Sequence, residues 1–173
     1  MGYLLTVQIN MFMCLLLAVC LAVAFLKLDL EKTEHKLFIG MVLSILALLG
    51  LEIWSVVLNA EFNAAVRADG HLVALNKLVN VVGFALVPFP PLLLLLFLHS
   101  WISRPIPRIL LPLYAAPLLA NVILALLSYH GGVLFNISPL NEYSRGEYFL
   151  ASPLVSYAYF LLNAVFIWKN RSR

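Results

Sequence analysis

Glu52, Ser55 and Asn59 stand at i, i+3 and i+7 in the stretch "LLGLEIWSVVLN", so a helix there carries an acid, a hydroxyl and an amide on one face. A carboxylate inside an otherwise apolar run is expensive in lipid and is kept where it faces a cavity or a partner. The chemistry such a face offers is recognition, with Glu52 as the charge or hydrogen-bond anchor for a ligand. Counting ~1.5 Å per residue puts Glu52 about 22 Å from Leu37 and Asn10 about 24 Å from Leu26. The same count puts Asn121 about 18 Å from Ile109 and Ser156 about 18 Å from Trp168, so the four share one layer. Ser152, Tyr159 and Asn163 extend the face of Ser156, and Asn80 lies in the third apolar run. With Arg145 at the mouth of the last run, the candidate ligand-binding set is Glu52, Asn10, Asn80, Asn121, Ser152, Ser156, Tyr159 and Arg145. The same residue types also serve simply to hydrogen-bond helix to helix. Lys77 is a partner for Glu52 only if tilt or a break lowers it, since it counts about 36 Å up from Trp101.

The elements that must position these groups are membrane spans. Hydrophobic residues are 64% of the 173 and charged ones 11%, which separates the chain from soluble globular domains. Five runs are long enough to cross a hydrocarbon core: about 3–26, 37–58, 78–102, 109–130 and 149–168. The expected fold is therefore all-α, an integral membrane bundle of five transmembrane helices forming one domain over 1–173. Pro88, Pro90 and Pro91 fall inside the third run, and each removes a backbone donor, so a kink near 86–91 is expected. Trp54, Trp101 and Trp168 sit near run ends, as interfacial anchors do.

Eight of the Lys and Arg residues (Lys27, Lys32, Lys36, Arg104, Arg108, Lys169, Arg171, Arg173) fall on one side of the alternating runs, against Arg67, Lys77 and Arg145 on the other. The excess marks the cytoplasmic side, giving an outside N-terminus, a cytoplasmic C-terminus and a multi-pass protein of the cell membrane. The first run lacks a basic n-region and a small-residue cleavage site, so it reads as a true span and not as a cleaved signal.

Several classes of chemistry find no support. No GxSxG, HExxH or phosphate loop occurs, so no catalytic residues and no enzyme activity are assigned to this chain. No basic stripe with interleaved aromatics suggests nucleic acid. His35, His71, His99 and His130 have no paired spacing, so no metal or other cofactor is expected. Cys14 and Cys20, six apart on one helix, turn away from each other and read as buried free thiols.

Taken in order, "HKLFIGMVLSILALLGLEIWSVVLN", "LNKLVNVVGFALVPFPPLLLLLF", "EYSRGEYF" and "SPLVSYAYFLLNAVFIWKNR" resemble the N-terminal membrane sensory region of bacterial GGDEF diguanylate cyclases. They are more distantly similar to the seven-helix region of histidine kinases. The resemblance runs from about residue 36 to 170. It rests on Asn76, Asn80, Gly83, Phe84 and Pro88, and on Tyr143, Arg145, Gly146, Tyr157 and Tyr159. It implies a bacterial sensory domain that takes a small ligand from the outer side and passes the change through the fifth span. An output domain is expected after residue 173, with homodimerisation through that region; the lipid bilayer is the other partner. No GGDEF or kinase sequence lies within the 173 residues. A small transporter or channel component, a membrane-embedded enzyme and an assembly subunit are the competing readings. The ligand could be an amine, a peptide fragment, a lipid headgroup or water.

The connection "NEYSRGEYF" then reads as an outer lid. Tyr143, Tyr148 and Phe149 suit the headgroup level, Gly146 permits the turn into the last helix, and Arg145 has Glu142, Glu147 or Glu61 as ion-pair partners, or else contacts an anionic ligand or headgroup.

Overall fold

The computed structural model describes residues 2–102 and 110–171; Arg104, Arg108 and Arg173 of the basic set, and position 109 of the fourth run, lie outside them. Five segments are helical over enough apolar residues to cross a membrane. They are α1 (Gly2–Lys27), α2 (Thr33–Val57), a third span built of α3 (Gly70–Leu86) and α4 (Phe89–Trp101), α5 (Leu110–Gly131) and α6 (Ala151–Asn170). This is the all-α architecture of a multi-pass membrane protein, in which most backbone groups are satisfied within their own segment. Trp54, Trp101 and Trp168 are exposed near the helix ends.

The third span begins at Gly70, well before the expected 78. Asp69 starts it, its side chain accepting from the His71 and Leu72 backbone N–H groups at 2.9 and 3.2 Å. The sequence-based boundary fell short because Asn76, Lys77 and Asn80 dilute the apolar pattern of the first turns. The expected interruption is present: α3 ends at Leu86 and α4 starts at Phe89. Val87 keeps helical dihedrals (φ −49°, ψ −41°), whereas the Pro88 ψ of −7° departs from the helical value. The break lets one span serve two neighbourhoods. The α3 half packs on α2 and α5, and the α4 half packs on α2 and α6. Helix α2 is central and also carries α1.

The connections between α2 and α3 and between α5 and α6 lie together and close one end of the bundle, hereafter the hairpin end. The first contains a single 3-10 turn, Ala64–Val66, capped by the Asn63 side chain. The second, expected as loop, holds a two-stranded hairpin in which β1 (Phe135–Ile137) pairs antiparallel with β2 (Tyr143–Arg145). Its apolar face is buried: Leu134, Phe135 and Ile137 pack with Val81 of α3 and Ala125 of α5. Phe84 stacks on Phe135 at 5.4 Å between centroids, and Phe149 meets Phe84 edge-on at 5.9 Å.

Asn141 is the tie of this cap. It is fully buried, with φ +63°, a left-handed conformation that Asn tolerates better than most side chains. Its carbonyl accepts from the Ala60 N–H at 2.8 Å, its side-chain oxygen accepts from Asn76 Nδ2 at 2.8 Å, and its Nδ2 donates to the Val66 carbonyl at 3.2 Å. One side chain thus joins both connections to α3.

Gly146 acts differently from the expected turn residue. A Cβ at this position would lie 2.3 Å from the carbonyl oxygens of Gly132 and Val133, so the constraint is backbone against backbone. The approach is fixed by the Gly146 N–H donating to the Leu134 carbonyl and the Tyr148 N–H donating to the Val133 carbonyl, both at 2.9 Å. Gly146→Ala is expected to destabilise the protein by about 3 kcal/mol or more. Gly131→Ala, whose Cβ would meet only Val133 Cγ2 at 3.6 Å, should stay close to wild type. Unfolding midpoints of the two variants in one detergent, followed by tryptophan fluorescence, test the ordering.

Candidate functional site

A cavity of about 790 Å³ opens at the hairpin end among α1, α2, α3 and the hairpin. Helix α2 contributes Glu52 and Ser55, with Asn59 just beyond its end, so the helical face inferred from spacing is a wall of this space. Helix α3 contributes Asn80, Gly83 and Phe84; α1 contributes Tyr3 and Thr6; the hairpin segment adds Tyr143, Arg145 and Phe149. Of the candidate residues, Glu52, Asn80 and Arg145 therefore come together. Asn10, Asn121, Ser152, Ser156 and Tyr159 do not line the cavity.

Four of those five have other partners, and three answer the third span's prolines. Pro88 has no N–H to offer the Phe84 carbonyl, which instead accepts from Asn121 Nδ2 of α5 at 2.7 Å and from Ser152 Oγ of α6 at 3.4 Å. Pro91 likewise frees the Val87 carbonyl, which accepts from Ser156 Oγ at 3.2 Å. Asn163 Nδ2 donates to the Pro91 carbonyl at 2.9 Å. Tyr159, fully buried, donates its hydroxyl to the Tyr114 carbonyl of α5. Asn10 is buried in α1, its Nδ2 without a hydrogen-bond partner among the described residues. Depth counting groups residues by height and says nothing of azimuth, which is why one predicted layer divides between a cavity wall and interhelical ties.

From the cavity wall an amide relay runs inward to the buried cap. Ser55 Oγ donates to Asn80 Oδ1 at 3.1 Å, and Asn80 Nδ2 donates to the Asn76 carbonyl and Oδ1 at 2.9 and 2.8 Å. Asn76 Nδ2 passes the chain to Asn141, and also reaches the Leu58 carbonyl at 3.3 Å. This relay saturates both ends of the Asn80 amide and turns none of its donors to Glu52. Among the described residues Glu52 has no hydrogen bond and no ion pair. Lys77 is not its partner; its ammonium lies 5.7 Å from the centroid of the Tyr129 ring on α5.

Arg145 is placed by stacking, its guanidinium 4.6 Å from the centroid of the Phe149 ring. The acids expected to pair with it are engaged elsewhere or do not reach it. Glu142 pairs with Arg67 at 3.4 Å, Glu61 accepts from the Tyr3 hydroxyl at 2.6 Å, and Glu147 makes no ion pair among the described residues. Beside Arg145, burial pushes the Tyr143 hydroxyl above its ordinary range while the guanidinium pulls it partly back, so Tyr143 lines the cavity as a neutral phenol.

No known family model matches this sequence, and no curated protein or solved structure is significantly similar to it. The site's chemistry is therefore read from its own residues. Among the described residues no three His, Cys, Asp or Glu side chains converge as metal ligands. His99, on α4, donates from Nδ1 to the Leu95 carbonyl at 2.9 Å and stacks on Phe166 of α6 at 4.1 Å, a packing role. The residue that sequence reasoning missed is Asn141, whose burial and left-handed backbone are tertiary facts.

The proline reading makes a coupled prediction. Asn121→Leu should cost about 1–3 kcal/mol by leaving a buried carbonyl short of a donor. In a Pro88→Ala background, which restores the backbone N–H, the same change should cost less than about 1 kcal/mol. A double-mutant cycle on unfolding free energy measures the difference.

Proposed function

We propose that this protein is the membrane-embedded sensory domain of a bacterial signalling protein, with the hairpin end outside and α6 leading towards the cytoplasm. The observation that carries the reading is the cavity itself: a carboxylate within a membrane span, without a partner among the described residues, lines a space walled partly by the segment that leads into α6. Partnerless intramembrane carboxylates are costly and mark sites where something else supplies the partner. A ligand resting between Glu52 and the hairpin touches the lid and the start of α6 at once.

The connection to α6 is direct. Phe149 lines the cavity and stacks under Arg145, the Phe149 N–H donates to the Gly146 carbonyl, and the Ala151 N–H that begins α6 donates to Tyr148. A ligand that fits one placement of the hairpin better than another shifts their populations, and α6 shifts with them. The resemblance to the membrane region of diguanylate cyclases points the same way, towards a GGDEF output and cyclic-di-GMP signalling in the bacterial cytoplasmic membrane. The lipid bilayer is the constant partner, and dimerisation belongs to the output region.

Gly83 offers a clean test. It lines the cavity, and a Cβ there meets only Leu51 Cβ at 4.0 Å, so a larger side chain has room to grow into the space. Native mass spectrometry of the protein released from its own membranes is expected to retain a bound molecule, and Gly83→Leu is expected to lose it with the unfolding midpoint preserved. An empty wild-type protein, or equal occupancy in the variant, overturns the reading.

A further inference from the structure

Resting on that reading, we infer that the ligand is a zwitterion, with a primary ammonium held at Glu52 and a phosphate or carboxylate held at Arg145. The cavity lining contains one acid and one base, Glu52 and Arg145, and they come from different elements. Glu52 belongs to α2, five residues before the helix ends at Val57, whereas Arg145 ends strand β2 at the rim. Neither charge is answered by the protein among the described residues.

The neighbours explain why the two charges stay available. The Ser55–Asn80–Asn76 relay is internally satisfied, so it keeps its geometry without neutralising Glu52. Glu142 pairs with Arg67 and Glu61 accepts from the Tyr3 hydroxyl, and neither forms an ion pair with Arg145 among the described residues. The guanidinium lies 4.6 Å from the Phe149 ring centroid and makes no hydrogen bond or ion pair among the described residues, so its N–H groups are available to a planar or tetrahedral anion. A simple cation would answer Glu52 and leave Arg145 unmatched; a simple anion would do the reverse. One molecule bearing both charges answers both side chains at once.

Two sources carry this chemistry, a soluble amino-phosphate or amino-carboxylate and the headgroup of an aminophospholipid, and the experiment separates them. The full chain is placed in nanodiscs of phosphatidylglycerol, which has no amine. One arm titrates O-phosphoethanolamine, with ethanolamine and inorganic phosphate as the two halves. The other arm adds phosphatidylethanolamine to the nanodisc and follows its retention by native mass spectrometry. At least one zwitterion is expected to bind, about tenfold or more tighter than either half in the soluble arm, and the arm in which it binds names the source. Glu52→Gln should weaken the zwitterion about tenfold without affecting inorganic phosphate. Arg145→Gln should weaken it while leaving ethanolamine unchanged. Both side chains lack protein hydrogen-bond or ion-pair partners among the described residues, so the unfolding midpoints should hold. Halves that bind as well as the whole, a zwitterion indifferent to both variants, or no binding in either arm overturns the inference. If the molecule displaced by Gly83→Leu has a different charge pattern, the sensory reading survives and the zwitterion does not; if the cavity is empty in native membranes, both fall.

Discussion

A single carbonyl, that of Phe84, organises most of this bundle. Proline at 88 denies it the helical hydrogen bond, and in a membrane no water is at hand to replace it. Asn121 of α5 and Ser152 of α6 supply the donors. To do so they must reach one atom, which fixes where α5 and α6 stand relative to the third span. The Val87 carbonyl and Ser156 repeat the arrangement one turn on. The prolines thus convert a helix that could satisfy itself into one that requires specific neighbours. In a solvent where apolar packing gives little preference between helices, that requirement supplies orientation.

The same break shapes the site. Because α3 and α4 pack against different partners, α3 sits with α2 and α5 under the hairpin, and the cavity forms on its other flank towards α1. Phe84 takes part in both arrangements: its carbonyl receives α5 and α6, while its ring stands between Phe135 and Phe149 and lines the cavity. Strain or filling in the cavity therefore acts on a residue whose backbone is already bonded to two helices.

Much of this was legible in the residues, and the remainder has identifiable causes. Span number follows from the length of apolar runs, because the hydrocarbon core imposes a minimum that few other structures need. The Glu52–Ser55–Asn59 face follows from helical period, and those residues do share a wall. What period cannot supply is the partner. Ser152 and Ser156 look alike from sequence whether they face a ligand or a carbonyl, and only the position of Pro88 and Pro91 on a neighbouring helix decides. The hairpin was unreadable because three-residue strands are too short to show alternation. Asn141, placed between Leu140 and Glu142 in a polar loop, gives no sign that its side chain ties both connections to α3.

The bonds from α6 to the broken span also limit how α6 can travel. Ser152, Ser156 and Asn163 address the carbonyls of Phe84, Val87 and Pro91 in order, and the two segments run parallel. Sliding α6 by one helical turn would carry Ser156 to the Phe84 carbonyl but bring Phe160 and Ile167 to the other two, so one bond of three would survive. The ladder behaves as a detent against axial sliding. A sideways swing of α6, by contrast, keeps the three bonds only if the third span around Phe84, Val87 and Pro91 goes with it.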